Sequence, residues 1–268
     1  MQLKLLVLLA CLPFVLKLPV DAKENDDELY AKLNDPEKGR TRILKMGRSK
    51  DKKAPKKLIE FYRSGTIDDA RGYYTKNEIL LALFTLADDG IKDPEALALG
   101  FEVLPHENRT LFESAVRLIC EMGQDTQETV GKRLLAFAEE NKDEERIFFL
   151  VWGLGKLKFA PAIDYLSKVY AEQKISKGYT GDYVVAMALA DIASPHGLDT
   201  LMTIYLKTRP LNKQESCLDG EPIVPCLMGL RKISGKDFGD DRNKWQEWYK
   251  DFKKMQDAGD KKTRDSER

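Results

Sequence analysis

Six pairs of aliphatic residues, each three apart, recur along the chain: Ile43/Met46, Leu83/Leu86, Ile119/Met122, Leu154/Leu157, Leu189/Ile192 and Leu230/Ile233. The steps between them are 40, 36, 35, 35 and 41 residues. After each pair the chain breaks and a second apolar stretch follows, so one period holds two short helices. Apolar residues elsewhere also recur at intervals of three and four, as in Ile79, Leu80, Leu83 and Leu86, or Leu134, Leu135 and Ala138. Strand-like alternation is missing. A helix pair of this size cannot bury its apolar face alone, and stacking on a neighbour is what completes the core. The expectation is an all-α chain forming an α-α superhelix of about five or six helix pairs around one continuous core.

The fourth and fifth units align best. At an offset of 35, Leu154, Leu157, Asp164 and Leu166 meet Leu189, Ile192, Asp199 and Leu201. Pro161 and Pro195 open the second helix of each, where a missing N–H costs nothing. Ser194 is placed to cap. Gly153, Gly155, Ala186, Ala188 and Ala190 are small enough to let paired helices approach closely.

These residues resemble HEAT repeats, including the PBS-lyase-like variety. The telling positions are Leu154-Gly155 followed by Ala160-Pro161, and Met46-Gly47 followed by Ala54-Pro55. The stretch from Leu230 through Ile233, Gly235, Lys236, Asp237, Phe238 and Gly239 to Trp245 and Trp248 resembles the closing segment of exported bacterial HEAT-repeat proteins. The likeness covers roughly residues 40–252. It implies a HEAT/armadillo-like solenoid that binds other proteins. The lyase label also implies a bilin-lyase-like enzyme or accessory as an alternative. Units two and three depart from the pattern, because no Ala-Pro opens their second helices.

The first 22 residues differ from the rest. One basic residue, an apolar run over residues 5–15 and small residues at Val20-Asp21-Ala22 read as a signal peptide. Lys17 ends the run before it reaches the roughly 20 residues needed to span a bilayer. Export to the periplasm or outside the cell is expected, with an uncleaved anchor or lipidation at Cys11 as competing readings. Residues 23–38 read as an acidic flexible segment, 39–239 as the repeats, 240–252 as a capping helix and 253–268 as a charged disordered tail. Trp245, Trp248, Tyr249 and Phe252 share one helix face, suited to covering the last open core.

The full chain carries 44 basic and 44 acidic residues, and removing Lys4, Lys17 and Asp21 leaves 42 against 43. Such a balance gives no global attraction to nucleic acid or to an anionic membrane. Three cysteines remain after cleavage, too few for a disulfide framework. Cys217 and Cys226 flank Asp219-Gly220 and are a candidate disulfide in an oxidising compartment; the other reading is two small hydrophobes. Cys120 reads as a packed thiol.

Residue types for chemistry are sparse. Only His106 and His196 are present, both in loop or helix-start contexts, and a hydrolase triad needs a histidine held between nucleophile and acid. The cysteines and histidines offer no paired spacing for zinc. Gly235-Lys236 lacks the upstream glycine and following Ser/Thr of a phosphate loop. No catalytic site, cofactor or metal is expected. Residues 38–57 hold ten Lys or Arg against Asp51 alone. Arg42, Lys45, Arg48, Lys52, Lys53, Lys56 and Lys57 are a candidate patch for an anionic polymer or headgroups, against the plainer reading of a solvated loop inside the first repeat. The sequence therefore reads as a non-catalytic, exported protein-binding scaffold or adaptor. The alternative is a structural envelope component that self-assembles.

Overall fold

The computed structural model describes Leu33, Asp35, residues 38–64, Ile67, and residues 69–175, 179–208 and 222–266. The described residues are all-α: helices joined by turns, with no strand among them. In chain order the helices are α1 (Gly39–Gly47), α2 (Ala54–Arg63), α3 (Asp69–Asp88), α4 (Pro94–Val103), α5 (Arg109–Met122), α6 (Gln127–Glu140), α7 (Glu144–Lys156), α8 (Ile163–Ala171), α9 (Tyr179–Ile192), α10 (Leu198–Lys207), α11 (Ile223–Ser234) and α12 (Arg242–Ser266).

The six aliphatic pairs fall on the odd-numbered helices or their C-terminal ends. Ile43, Leu83, Ile119, Leu154, Leu189 and Leu230 are all buried. Odd helices pack on one another in sequence, α1 on α3, α3 on α5, and onward through α7 and α9 to α11. Each even helix from α2 to α10 packs on the odd helix that follows it.

Local chemistry sets the helix starts. Asp93, Asn108 and Asp143 accept hydrogen bonds from the first-turn N–H groups of Glu95, Leu111 and Arg146, satisfying donors that have no partner within the helix. Asp93-Pro94 thus opens the second helix of unit two where Ala-Pro is missing. In unit three a 3-10 turn over Gly123–Thr126 leads into α6 without proline. Ser194 accepts from the His196 N–H at the 3-10 turn before α10. Gly235, at φ +67°, ends α11 in the left-handed region that glycine enters at little cost.

Small residues govern the close approaches. A β-carbon on Gly47 would lie 2.8 Å from the Ala82 Cα, and one on Gly229 would lie 3.1 Å from the Ala190 Cα. Gly155 and Ala188 meet in the same way between α7 and α9.

Among the described residues the buried side chains group into two clusters that adjoin on α4 and α5, where Leu97 packs against both. On α5, Leu111, Ala115, Leu118 and Met122 enter the N-terminal cluster, while Phe112, Val116, Ile119 and Cys120 enter the C-terminal one. Both sets follow helical spacing, so α5 is apolar on two faces, as a helix between two neighbours must be.

The chain ends differ from expectation in extent. Leu33 and Asp35 lie in the segment read as flexible, yet Leu33 is buried and the Asp35 backbone oxygen accepts the Gly39 N–H at 2.7 Å. At the other end α12 continues past residue 252 to Ser266. Its later residues are mostly good helix formers, and an Asp251–Lys254 ion pair at 3.0 Å spans the expected boundary. Trp245 is fully buried, and its indole N–H donates to the Gly239 carbonyl at 2.9 Å. Arg242 ties α12 to the end of α10 by donating to the Leu206 and Thr208 carbonyls. No helix among the described residues is long and apolar enough to cross a membrane.

Candidate functional site

The spacing of residues around the aliphatic pairs identifies a set of exposed positions on the odd helices. Two residues before the first aliphatic of each pair stand Thr41, Leu81, Arg117, Trp152, Met187 and Met228. One helical turn earlier stand Asn77, Glu113, Phe148, Tyr183 and Val224; one turn later stand Lys45, Thr85, Glu121, Lys156, Asp191 and Lys232. Every one of these residues is partly or fully exposed, although the odd helices otherwise bury most of their surface. The three columns therefore form one solvent-facing surface running from α3 to α11.

Contacts between neighbouring helices support the alignment. The Arg117 guanidinium lies 5.4 Å from the Trp152 ring centroid. Lys156 pairs with Asp191 at 3.0 Å, and Lys232 approaches Asp191 at 3.9 Å while donating to the Ala190 carbonyl at 3.0 Å. Ser114 Oγ bonds Asn77 Oδ1 at 2.6 Å, one period away. Arg117 also pairs with Glu113 on its own helix at 2.9 Å.

The chemistry of this face changes along its length. On α7, α9 and α11 it presents Phe148, Trp152, Tyr183, Met187, Val224 and Met228, a band of aromatic and adaptable apolar side chains. Met228 is 47% exposed. The Lys156, Asp191 and Lys232 ladder borders one edge, and the Glu113–Arg117 pair on α5 borders the band at its start. A mixed apolar and charged surface with a tryptophan and two methionines suits recognition of another polypeptide. Two carboxyls outside the band are held above the usual range mainly by burial: Glu121, with Asp88 adding to the effect, and Asp182.

The basic stretch is not a single loop. It comprises α1, a tight turn and the first turn of α2. Lys45, Arg48, Lys52, Lys53, Lys56 and Lys57 are exposed there. Arg42 is separate from them: it is buried, 8% exposed, with its guanidinium 3.7 Å from Asp35. Its place on α1, one residue before the core residue Ile43, turns it inward. Lys57 pairs with Glu60 at 3.5 Å.

The remaining candidates stand apart. The His106 ring accepts the Asn108 N–H at 2.9 Å in the α4–α5 turn, and His196 is exposed at the start of α10. Cys120 and Cys226 are buried free cysteines among the described residues; Cys217 lies outside them, as do Cys11 and the signal segment 1–22. Gly235-Lys236 forms the turn that ends α11. Among the described residues no group of three or more His, Cys, Asp or Glu is placed to hold a metal ion.

No protein-family profile, curated protein or solved structure matches this chain.

Proposed function

We propose that the chain is a non-catalytic scaffold or adaptor of the HEAT-repeat kind, built as an α-α superhelix, that binds a protein partner through the exposed face of its odd helices. The observation that carries this reading is the band of Phe148, Trp152, Tyr183, Met187, Val224 and Met228. In a repeat stack the inward positions of each helix are committed to the core, which leaves outward positions free to carry recognition. Here those positions hold apolar side chains in three successive helix pairs, next to a charged ladder, with Phe148, Trp152 and Val224 packed in part against the core beneath them. The periodic side-chain contacts support a repeat array, since bonds such as Lys92–Asp125, Cys120–Gly153 and Thr200–Ser167 join positions about one period apart.

The working compartment is outside the cytoplasm, a proposal resting on the leader-like residues 1–22. The test is a crosslinking pull-down from the native envelope fraction with the mature chain as bait. One or two proteins recovered in stoichiometric amount support an adaptor. Recovery of additional copies of the bait alone supports self-assembly instead. Recovery of bait with a bound small molecule sends the search back to enzymatic readings.

A further inference from the structure

The corner between α1 and α2 concentrates positive charge around a single acid, Asp51. Arg48, Lys50, Lys52, Lys53 and Lys56 lie within nine residues, all exposed. None has a carboxylate partner among the described residues, whereas three cations near them do. Arg40 pairs with Glu78 at 2.8 Å, Arg42 with Asp35, and Lys57 with Glu60. The one acid inside the corner, Asp51, turns its carboxylate back to accept the Lys53 N–H at 2.9 Å. Of the apolar residues on the same two helices, Ile43, Met46, Leu58 and Ile59 are buried, while Leu44, Phe61 and Tyr62 are partly exposed.

We infer that this corner is an electrostatic docking surface for a layer of anionic lipid headgroups. Four of the five cations are lysines. Each is a compact charge on a flexible stem, without the planar fork by which arginine reads the geometry of one phosphate or carboxylate. Five such charges on a short turn and a helix start suit a diffuse sheet of negative charge better than one shaped ligand. Juxtaposed lysines near such a sheet each add to the attraction, which falls away within a Debye length. The inference concerns the first repeat and is independent of the protein-binding face on α7, α9 and α11.

The test is co-sedimentation of the purified mature chain, from residue 23 on, with vesicles of phosphatidylglycerol and phosphatidylcholine, and with phosphatidylcholine alone, at low and high salt. Binding to the zwitterionic vesicles measures any charge-independent contribution and is subtracted. The expected result is a charge-dependent component that is lost at high salt. It falls about fivefold for each single substitution among Arg48→Gln, Lys50→Gln, Lys52→Gln, Lys53→Gln and Lys56→Gln, and is undetectable with all five. A control with Lys132→Gln, Lys142→Gln, Lys168→Gln, Lys236→Gln and Lys250→Gln, equal in charge and also exposed, retains binding. The helical signal and melting of each variant establish that it is folded. Equal binding to both vesicle types, or equal loss in the control, overturns the inference. So does tighter binding to soluble polyphosphate, per phosphate, than to the anionic vesicles, which would assign the corner to a polymer.

Discussion

Gly155 on α7 and Ala188 on α9 touch backbone to backbone: a β-carbon on Gly155 would sit 2.5 Å from the Ala188 Cα and 2.7 Å from its Cβ. Neither neighbour is a flexible side-chain tip, so Gly155→Ala has to push two helices apart. Overpacking of this kind costs about 1–3 kcal/mol, more than the helix-propensity gain of replacing glycine. Denaturant unfolding should show that loss. Adding Ala188→Gly should return part of it, because the two changes share one contact and are not additive. Full additivity would mean that the helices are not in contact there.

Trp245 closes the C-terminal end of the core. Its ring is fully buried and packs edge-on against Phe238 and Trp248, at centroid distances of 4.9 and 5.8 Å. Trp245→Ala is expected to cost about 3–5 kcal/mol. Deleting residues 256–268 removes a part of α12 whose described side chains are largely exposed and should change stability by less than about 1 kcal/mol. Thermal melting of both variants checks the contrast.

The helices were legible in the sequence because their cause is local. Leu154, Leu189 and Leu230 are buried for the reason their spacing gives, and Trp245 covers an end for the reason its stripe gives. Arg42 was not legible, because nothing in a run of cations shows that one of them turns inward beside Ile43 toward Asp35. The extent of α12 past Phe252 was hidden by composition: charged residues with little apolar content look the same in a solvated helix as in a loose tail. The exposed band was written in the sequence at a fixed position relative to each aliphatic pair. Seeing it required knowing which side of the odd helices lacks a neighbour, and that is a tertiary fact.

Tyr165 links stability to alkaline pH. Its hydroxyl donates to the Ala138 carbonyl at 3.0 Å, and burial, helped by the negative charge of Glu139, pushes its pKa up to about 12. An unfolded tyrosine ionises near pH 10. Between these values the unfolded chain gives up the proton and the folded one keeps it. The stabilisation is complete below about pH 10 and is lost as pH rises toward about 12. Tyr165→Phe should make this decline shallower and should cost about 1 kcal/mol at neutral pH through the unpaired carbonyl. Stability curves measured across this pH window test both effects.

The thiols of Cys120 and Cys226 are buried, and burial pushes both well above the ordinary cysteine range. Since the thiolate is the reactive form, neither should react with an alkylating reagent in the native protein. Cys120 should react once denaturant is added. Mass spectrometry of labelled peptides reads each site separately, and native labelling of Cys120 would contradict its place between α5 and the Gly153 backbone.

The most direct test of the binding proposal places a photo-crosslinking residue at Met187, at Met228 or, on the even helix α8, at Lys168, and irradiates the native envelope fraction. The account predicts the same partner band from Met187 and Met228, none from Lys168, and loss of the band when Trp152→Ala is added. A band of equal strength from Lys168, or one that survives Trp152→Ala unchanged, would contradict the assignment of the odd-helix face as the binding surface.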